Sequence, residues 1–387
     1  MITGPLETVD EPTLAALVTN GVSEGRRLEF KRDVPDSGEK SIKEFLADVT
    51  AFANAQGGDI LFGISERGGA AAAIEGVSSA DPDALLLSFE NRLRDTVEPR
   101  LSGLQMHWVP LANGRGVLIL RIPASLSAPH RVTFKNANRF YGRNSRGKYE
   151  MDTHELRAAF TEAEQWPARF ESLHQAARLA AHGEERPFRI DANPMAVATV
   201  TPVGFFRERR EIEITPETAV MPFHRSSHID AQLTLEGVLI RTPLNEKPAP
   251  TTPYNAVQAY ALTHRLGRVE AAWSIGGEYP VGRGALTPLV YPDRFELGLL
   301  DLSRATAARF HGLGIDGPWV LQVSLDLLKD HQLVFDDHHA SNPAWRTAAR
   351  LPDVMIEAVS EAALLPMFKA FWRTFGAERP ADREAGD

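Results

Sequence analysis

The 387-residue chain contains no cysteine. Disulfide bridges, thiol catalysis and cysteine-bound zinc are therefore excluded, and the composition fits a cytosolic protein. The first residues lack the basic and apolar segments of a signal peptide, and no apolar run approaches the roughly 20 residues that cross a bilayer. We therefore expect a cytoplasmic protein with no membrane segment.

Positive charge is also in short supply, since the formal net charge is -9. Such a chain is poorly suited to coating nucleic acid without selectivity, so any contact with phosphates must be local. The hydrophobic fraction of 43% and the charged fraction of 24% are ordinary for a soluble globular protein. The length is sufficient for two domains with sizeable cores.

The most informative stretch begins with a predicted strand at residues 28–31, where apolar and polar residues alternate. This period of two places Glu29 and Lys31 on the same face of the strand. Glu24 lies five residues before Glu29, and Gly25 between them allows the backbone to turn. A second carboxylate can therefore fold over the first.

An amphipathic helix and a second strand follow. Apolar residues recur at spacings of three and four from Ile42 to Ala53, and Gly57-Gly58 lies just past the end of this pattern. Residues 59–64 then form an apolar run of strand length, which a turn closes. Glu66 lies at the rim of this second strand.

These segments resemble the Schlafen core domain, a module classed as AlbA-like and, in bacteria, as DNA-binding. The resemblance covers about residues 20–160 and implies a mixed α/β fold. It rests on the following residues: Glu24, Glu29, Phe30 and Lys31; Ala51, Phe52, Ala53, Asn54, Gly57 and Gly58; Gly63, Ile64 and Glu66; and Tyr141, Arg143 and Ser145.

The resemblance also implies a site. In Schlafen ribonucleases two motif glutamates and an aspartate after the second strand form a metal-dependent nuclease centre, and the matching positions here are Glu24, Glu29 and Glu66. Glutamate at position 66 departs from the family pattern. On this hypothesis the three carboxylates hold Mg²⁺ or Mn²⁺, which activates the nucleophile against a phosphodiester. Lys31 would neutralise the phosphate in the transition state.

A basic and aromatic segment at residues 131–149 is the local exception in this acidic protein. It has six basic residues and no acidic one. Cations that pair with phosphates, together with aromatic faces that stack on unpaired bases, are typical of proteins that hold single strands or RNA loops. The alternative is a solvated hairpin whose aromatic side chains belong to the core. The candidate contacts are Arg131, Lys135, Arg139, Tyr141, Arg143, Arg146 and Lys148.

The remaining pattern predicts an α+β protein. We expect an N-terminal Schlafen-like mixed α/β domain at residues 1–165, a helical linker at 166–184, and a second α+β domain rich in short strands at 185–387. Within them, residues 104–109 and 116–122 predict a hairpin around Asn113-Gly114, and residues 153–181 a helix with a break near Pro167. Residues 256–263 and 268–274 suggest another hairpin, although 256–264 could be helical.

At the C-terminal end, residues 354–375 predict one helix, because apolar residues cover a broad face of it. The polar tail from Ala377 is expected to fray.

Three other motifs carry less weight. Residues 142–148 have the spacing of a phosphate-binding loop, but Tyr149 stands where a Ser or Thr should bind magnesium. His224 and His228 have helical spacing but lie in a loop-like segment without the glutamate of a zinc protease. Residues 336–339 contain two Asp and two His, for which a solvated turn is favoured over a metal site.

Two functions follow from these patterns. The first is a nucleic-acid-binding protein that acts as a metal-dependent endoribonuclease on structured RNA such as tRNA or rRNA. The second is a non-catalytic DNA- or RNA-binding regulator, or a defence-system sensor, whose C-terminal domain binds a partner or ligand. RNA is the favoured nucleic acid in both. Only one copy of the motifs is present, so the nuclease hypothesis also predicts a homodimer.

Overall fold

The computed structural model describes residues 2, 6–183, 189–190, 193–208, 211–222, 231–241, 256–281, 285–315, 317–336, 338–381 and 383. The chain divides into two compact units, Met1–Pro167 (unit 1) and Ala168–Asp387 (unit 2). Each unit combines helices with β-sheet, which confirms the predicted α+β class.

The helices are listed here in chain order. Unit 1 contains α1 (Glu11–Thr19), α2 (Glu39–Asn54), α3 (Pro82–Thr96) and the first part of α4 (Thr153–Ala181). Unit 2 contains the rest of α4, then α5 (Val203–Glu208), α6 (Pro292–Gly312) and α7 (Glu361–Thr374). Short 3-10 helices occupy Leu6–Thr8 and Pro216–Thr218.

Unit 1 contains two four-stranded sheets and a separate hairpin. The first sheet has the order β1-β2-β7-β6, the second the order β10-β9-β8-β5, and β3 pairs with β4. Strand β1 runs parallel to β2, and the other pairs are antiparallel. The strands are β1 (Leu28–Lys31), β2 (Gly58–Phe62), β3 (Ile64–Arg67), β4 (Ala70–Ile74), β5 (Val97–Glu98), β6 (Gln105–Pro110), β7 (Gly116–Ile122), β8 (Arg131–Val132), β9 (Arg139–Asn144) and β10 (Gly147–Glu150).

The central segment of unit 1 follows its sequence pattern closely. In β1, Leu28 and Phe30 are buried while Glu29 and Lys31 are partly exposed, as the period of two predicts. Helix α2 buries the apolar face that the spacing indicates. Strand β2 is buried along its whole length because it is an inner strand of the sheet. The β6–β7 hairpin confirms the prediction made from Asn113-Gly114.

Unit 2 is built on an eight-stranded sheet. Its strands run β13-β14-β16-β17-β12-β20-β22, with β23 also paired to β20; β18, β19 and β21 form a smaller sheet, and β11 pairs with β15. The strands are β11 (Arg189–Ile190), β12 (Met195–Pro202), β13 (Ala231–Leu233), β14 (Gly237–Arg241), β15 (Ala256–Val257), β16 (Ala259–His264), β17 (Val269–Ser274), β18 (Gly276–Val281), β19 (Ala285–Val290), β20 (Trp319–Asp326), β21 (Gln332–Leu333), β22 (Ala348–Arg350) and β23 (Val354–Ile356).

The two faces of this sheet differ in chemistry. Alternate residues of β12, β17 and β20 pack with apolar residues of α6 and α7 in one large core. The other face carries buried polar residues, including Thr199, Ser324 and Asp326. The same face also carries a smaller apolar cluster, which includes Met195, Val197 and Leu262. Alternation along the strands therefore separates the large core from a mixed polar and apolar layer.

The structure confirms one further local prediction and corrects two. Strands β16 and β17 form the predicted antiparallel hairpin, and the helical alternative for residues 256–264 is wrong. Residues 354–356 form β23 rather than the start of the last helix, which begins after Ser360, whose side chain caps it by accepting from the Ala363 amide. Helix α4 continues through Pro167, because a helix can lose one amide donor and retain the hydrogen bonds on either side.

Within the described ranges, no helix combines the length and the apolarity needed to cross a bilayer.

Candidate nucleic-acid interface

Glu29 is the first member of a network of alternating charges in unit 1. Its Oε1 accepts a hydrogen bond from Lys31 Nζ at 2.6 Å, and its Oε2 accepts from Arg143 Nη2. Burial opposes ionisation of this carboxyl, but the hydrogen bonds from Lys31 and Arg143 outweigh it and hold the pKa of Glu29 below its ordinary value. Both oxygens of the carboxylate are therefore engaged with cations.

The network continues through helix α2 to strand β10. Lys31 Nζ lies 3.5 Å from Asp48 Oδ2, and Lys148 Nζ donates to Asp48 Oδ1 at 2.7 Å and to Glu44 Oε1 at 3.2 Å. Burial raises the pKa of the Asp48 carboxyl, against the attraction of the two lysines. Burial also opposes the charge of Lys31, but Asp48 and Glu29 outweigh it and raise the pKa of Lys31. Buried charges of opposite sign thus hold both lysines in place.

Arg143 joins this network to the backbone. Its guanidinium carbon lies 4.0 Å from the centroid of the Phe52 ring, and Nε and Nη2 donate to the carbonyl of Gly25 at 3.2 and 2.9 Å. The side chain is only 2% exposed. In this position Arg143 fixes the turn before β1 and is not accessible to a phosphate.

Asn54 fixes the segment that leads into the basic strands. Its Nδ2 donates to the carbonyls of His130 and Tyr141 at 2.8 and 2.9 Å, and its Oδ1 accepts from the His130 amide at 2.6 Å. Gly58, at the start of β2, is constrained by its close approach to helix α2. A Cβ on Gly58 would lie 2.5 Å from the Phe52 ring, so the helix end and β2 can approach this closely only without a side chain there.

The other two predicted metal ligands, Glu24 and Glu66, accept hydrogen bonds from backbone amides. Glu24 Oε1 accepts from the Phe30 amide at 2.7 Å, and burial raises the pKa of this carboxyl. Glu66 is exposed and its Oε2 accepts from the Gly69 amide at 2.5 Å. Among the described residues no group of three or more His, Asp or Glu side chains is arranged to hold a metal ion. After burial, the negative charges of Glu29 and Glu66 also raise the pKa of Glu24, so the three carboxylates lie near one another. In this conformation Glu29 is bound to two cations, and a shared Mg²⁺ or Mn²⁺ centre stays a prediction.

Most cations of the 131–149 segment pair with acidic residues from elsewhere in unit 1. The pairs are Arg131 with Glu98 at 2.6 Å, Lys135 with Glu39 at 2.7 Å, Arg139 with Glu150, Arg143 with Glu29, and Lys148 with Asp48 and Glu44. Arg146 lies exposed at the tip of the β9–β10 hairpin, and its side chain has no ion pair within the described part of the chain. The segment is therefore less positive in the fold than in the sequence.

A groove of about 480 Å³ lies between α2 and the β9–β10 hairpin. It is lined by Glu39, Lys40, Lys43, Glu44, Ala47, Tyr141 and Lys148. Lys135 and Lys43 donate hydrogen bonds to Glu39 and hold the pKa of its carboxyl at about 2. We call this feature the α2 groove. It brings Tyr141 and Lys148 of the predicted contact set together with two lysines of α2.

The weaker motifs have structural explanations where they are described. Residues 142–148 form part of the β9–β10 hairpin, and Lys148 points to Asp48 rather than into a phosphate-binding loop. His339 Nδ1 lies 2.8 Å from Asp336 Oδ1 in an exposed turn, as expected of a solvated turn. His224 and His228 lie outside the described residues.

Five charged residues of this region, Glu39, Lys40, Lys43, Glu44 and Asp48, were not singled out as site residues from the sequence. Asp48 and Glu44 complete the charged network, and Lys40 lines the α2 groove. Asp48 could have been recognised, because it is a carboxylate on the apolar face of α2, three residues after Phe45 and four before Phe52. An exposed Lys or Glu on a helix carries no comparable signal.

Comparison with known proteins identifies the N-terminal region. Residues 24–152 match the sequence model of the Schlafen AlbA_2 family. No curated protein matches the chain. Among solved structures, the DIP2311 protein from Corynebacterium diphtheriae is 16% identical with a TM-score of 0.27, and the alignment covers 37% of this chain and 30% of that one.

A second solved structure is the N-terminal domain of a putative ATP-dependent DNA helicase RecG-related protein from Nitrosomonas europaea. It is 22% identical with a TM-score of 0.24, and the alignment covers 36% of this chain and 94% of that one. The chain thus spans about 30% of the first matched structure and most of the second. The part of unit 1 that supplies β1, α2 and the β9–β10 hairpin is thus similar in sequence to the Schlafen AlbA_2 family.

Proposed function

We propose that residues 24–152 bind nucleic acid and that the α2 groove is the contact surface. The observation that carries this proposal is the grouping of Lys40, Lys43 and Lys148 with Tyr141 along one groove. Lysines supply charge for phosphates, and an aromatic ring offers a face for an unpaired base. The Schlafen AlbA_2 family supports the same function.

The lysines of the groove pair with two kinds of acidic residue, exposed and buried, which differ in how easily a phosphate can replace them. Glu39 and Glu44 are exposed, and an exposed ion pair contributes only about 0 to 1 kcal/mol. Phosphates can therefore replace these glutamates as partners of Lys43, Lys135 and Lys148. Asp48 is buried and stays with Lys148. Asp48 thus holds the Lys148 ammonium in position, and a phosphate can replace Glu44 as its second partner.

RNA is the ligand that we favour, because the unpaired bases of RNA loops can stack on an aromatic side chain. The exposed Arg146 at the hairpin tip can meet a neighbouring phosphate. DNA remains the alternative, and the binding assay below includes both.

Cleavage is a separate proposal. Metal-dependent endoribonuclease activity at Glu24, Glu29 and Glu66, with dimerisation, stays a prediction from the family resemblance. We favour binding without cleavage, as in a regulator or a defence-system sensor, since both oxygens of Glu29 hold cations.

The binding proposal is tested with tRNA, an rRNA fragment and single-stranded DNA on native gels. We expect Lys40→Glu combined with Lys43→Glu to weaken binding at least tenfold, because two lysines of the groove change sign. Arg115→Glu is the control, since Arg115 is exposed and lies outside the groove. Equal loss of affinity in the control and the groove variant would point to net charge rather than to this surface.

The cleavage proposal needs its own readout. Wild type and Glu29→Gln are incubated with the same substrates and Mg²⁺, Mn²⁺ or chelator, and the products are resolved on denaturing gels. We expect intact RNA in every lane. Fragments that require metal and disappear with Glu29→Gln would establish the nuclease instead, and light scattering would then show whether the active species is a dimer.

A further inference from the structure

Unit 2 contains a large open groove of about 1020 Å³ that is separate from the residues matched to the Schlafen AlbA_2 family. One side is formed by residues 340–346 and the edge strand β22, and the other by the second half of helix α7. We call it the α7 groove. Every residue that lines the α7 groove belongs to unit 2.

The charged residues that line the α7 groove are all cationic. They are Arg346, Arg350, Lys369 and Arg373, and no Asp or Glu lines it among the described residues. Arg373 forms an ion pair with the exposed Glu378, and Arg350 forms one with Asp353. Lys369 and Arg346 make no ion pair within the described part of the chain. In a protein of net charge -9, this is a local positive surface suited to an anionic ligand.

An exposed tryptophan stands at the same groove. The side chain of Trp345 is 75% exposed, whereas Trp166, Trp273, Trp319 and Trp372 are buried. Arg346 lies over one face of the indole, with its guanidinium carbon 4.4 Å from the ring centroid. A second partly exposed ring, Phe335, also lines the groove and stacks on Trp372. A single exposed ring is ordinary, but two exposed aromatic side chains that line one groove form the kind of apolar patch that commonly marks a contact surface.

The loop that carries Trp345 is held on both sides. The Ala344 amide donates to the His331 carbonyl at 2.8 Å, and the Ala344 carbonyl accepts from the Asp330 amide at 2.8 Å. On the other side, the Thr347 carbonyl accepts from the Leu328 amide at 3.0 Å. The indole is therefore presented from a fixed backbone, so a ligand that stacks on it pays little to order the loop.

We propose that the α7 groove binds single-stranded nucleic acid. An unpaired base stacks on Trp345, and successive phosphates meet Arg346, Lys369 and Arg373. Cations spaced along an open groove together with an exposed indole are the combination that holds single strands without reading their sequence. An acidic peptide would use the cations but would gain little from the aromatic ring, so the tryptophan favours nucleic acid.

This second site is independent of the α2 groove. It uses no residue of unit 1, and it could exist even if residues 24–152 bound nothing. Its presence would give the chain two sites, the second of which prefers unpaired strands.

The test uses the full chain and a fluorescein-labelled 12-nucleotide oligouridine, with binding followed by anisotropy and by quenching of tryptophan fluorescence. We expect Trp345→Ala to weaken binding about tenfold. Trp345→Phe should retain most of the affinity and lose most of the quenching, because stacking remains while the exposed reporter is gone. Lys369→Glu should weaken binding, whereas Arg304→Glu, an equal charge change on the exposed side of α6, should not.

Three results would overturn the proposal. They are an oligouridine affinity that is the same in Trp345→Ala and wild type, equal effects of Lys369→Glu and Arg304→Glu, and a poly-glutamate peptide that binds the groove as tightly as the oligonucleotide. Adding Lys40→Glu and Lys43→Glu to each variant separates the binding at the α7 groove from the binding at the α2 groove. Failure at the α2 groove leaves the Trp345-dependent signal intact, and failure at the α7 groove leaves the Lys40-dependent binding intact.

Discussion

The guanidinium of Arg143 lies against the ring of Phe52, 4.0 Å from its centroid, and this contact joins the late basic segment of unit 1 to helix α2. The same guanidinium donates to the Gly25 carbonyl and to the Glu29 carboxylate. A residue that the sequence suggests as a phosphate contact thus serves as an internal brace. The charge of Arg143 is less important here than its planar shape and its fixed set of donors.

Arg143→Lys should therefore destabilise unit 1 even though it keeps the positive charge. Lysine cannot reproduce the planar contact with Phe52 or the paired donation to Gly25. Leaving Glu29 with a weaker partner in a mostly buried position is expected to lower the free energy of unfolding by roughly 3 kcal/mol. Urea denaturation measures this change.

Arg146→Lys is the matched control for that measurement. Arg146 is exposed and lies three residues further on. Its replacement should change the free energy of unfolding by less than about 0.5 kcal/mol. Equal stability of the two variants would show that Arg143 does not brace the fold.

The regular elements around this brace could be predicted from the sequence. Strand β1 and helix α2 have clear periods of two and about 3.6 residues, and Asn113-Gly114 marks the β6–β7 turn. These signals are local, since each is contained in a few consecutive residues. The existence of the elements therefore follows from the order of apolar and polar side chains alone.

The charge pattern of the site could not be predicted in this way. Lys135 and Glu39 are 96 residues apart in the chain, and Lys148 and Asp48 are 100 apart. Such pairs depend on how β9 and β10 approach α2, and no local pattern encodes that approach. A segment with six basic residues and no acidic one thus becomes nearly neutral once the chain folds.

Neutralising the exposed glutamates of the α2 groove should strengthen nucleic-acid binding. Glu39 forms ion pairs with Lys43 and Lys135, and Glu44 forms one with Lys148. Each glutamate therefore competes with a phosphate for these lysines. We expect Glu39→Gln or Glu44→Gln to increase the affinity for RNA roughly two- to fivefold, as fits the modest free energy of exposed pairs. Anisotropy with labelled tRNA at fixed salt measures the change.

Glu90→Gln provides the control for this gain. Glu90 is exposed on α3 and does not line the α2 groove, so its neutralisation changes the net charge equally at another place. If this variant tightens binding as much as Glu39→Gln, the groove has no special part in the effect.

Unit 2 should lose stability in acid through His174. This imidazole is fully buried, with Nδ1 3.0 Å from Thr199 Oγ1 and Nε2 2.8 Å from Ser324 Oγ. Burial, with Arg350 and Arg178 nearby, lowers the pKa of His174 from 6.5 to about 3. The unfolded chain therefore binds a proton that the folded chain does not, and stability present above pH 6.5 is lost as the pH falls towards 3.

The size of this effect can be isolated by substitution. One such group changes the free energy of unfolding by at most about 1.4 kcal/mol per pH unit in this window. His174→Gln keeps hydrogen-bonding groups and removes the titration. The difference in unfolding free energy between wild type and this variant, followed by urea denaturation from pH 7 to pH 4, should shrink as the pH falls. A constant difference would mean that His174 does not titrate between these limits.

The C-terminal tail should be a stabilising part of unit 2, although its polar sequence suggested fraying. That expectation is wrong at Arg379 and Arg383, which contact the buried Glu296. Arg379 donates to both oxygens of Glu296 at 3.0 and 3.1 Å, and Arg383 Nε lies 3.3 Å from Oε2. Trp372 Nε1 also donates to Glu296.

Removal of residues 377–387 would therefore leave a buried carboxylate with one neutral donor. We expect the truncated chain to lose about 3 to 5 kcal/mol of unfolding free energy, because an uncompensated buried charge is costly. Arg379→Ala alone should lose less, because Arg383 still lies 3.3 Å from Glu296. Thermal and urea denaturation measure the loss. The double variant Glu296→Gln with Arg379→Ala should lose less than the sum of the two single variants, since it removes both charges. Strict additivity would show that the arginine stabilises unit 2 through packing on Phe368 rather than through its charge.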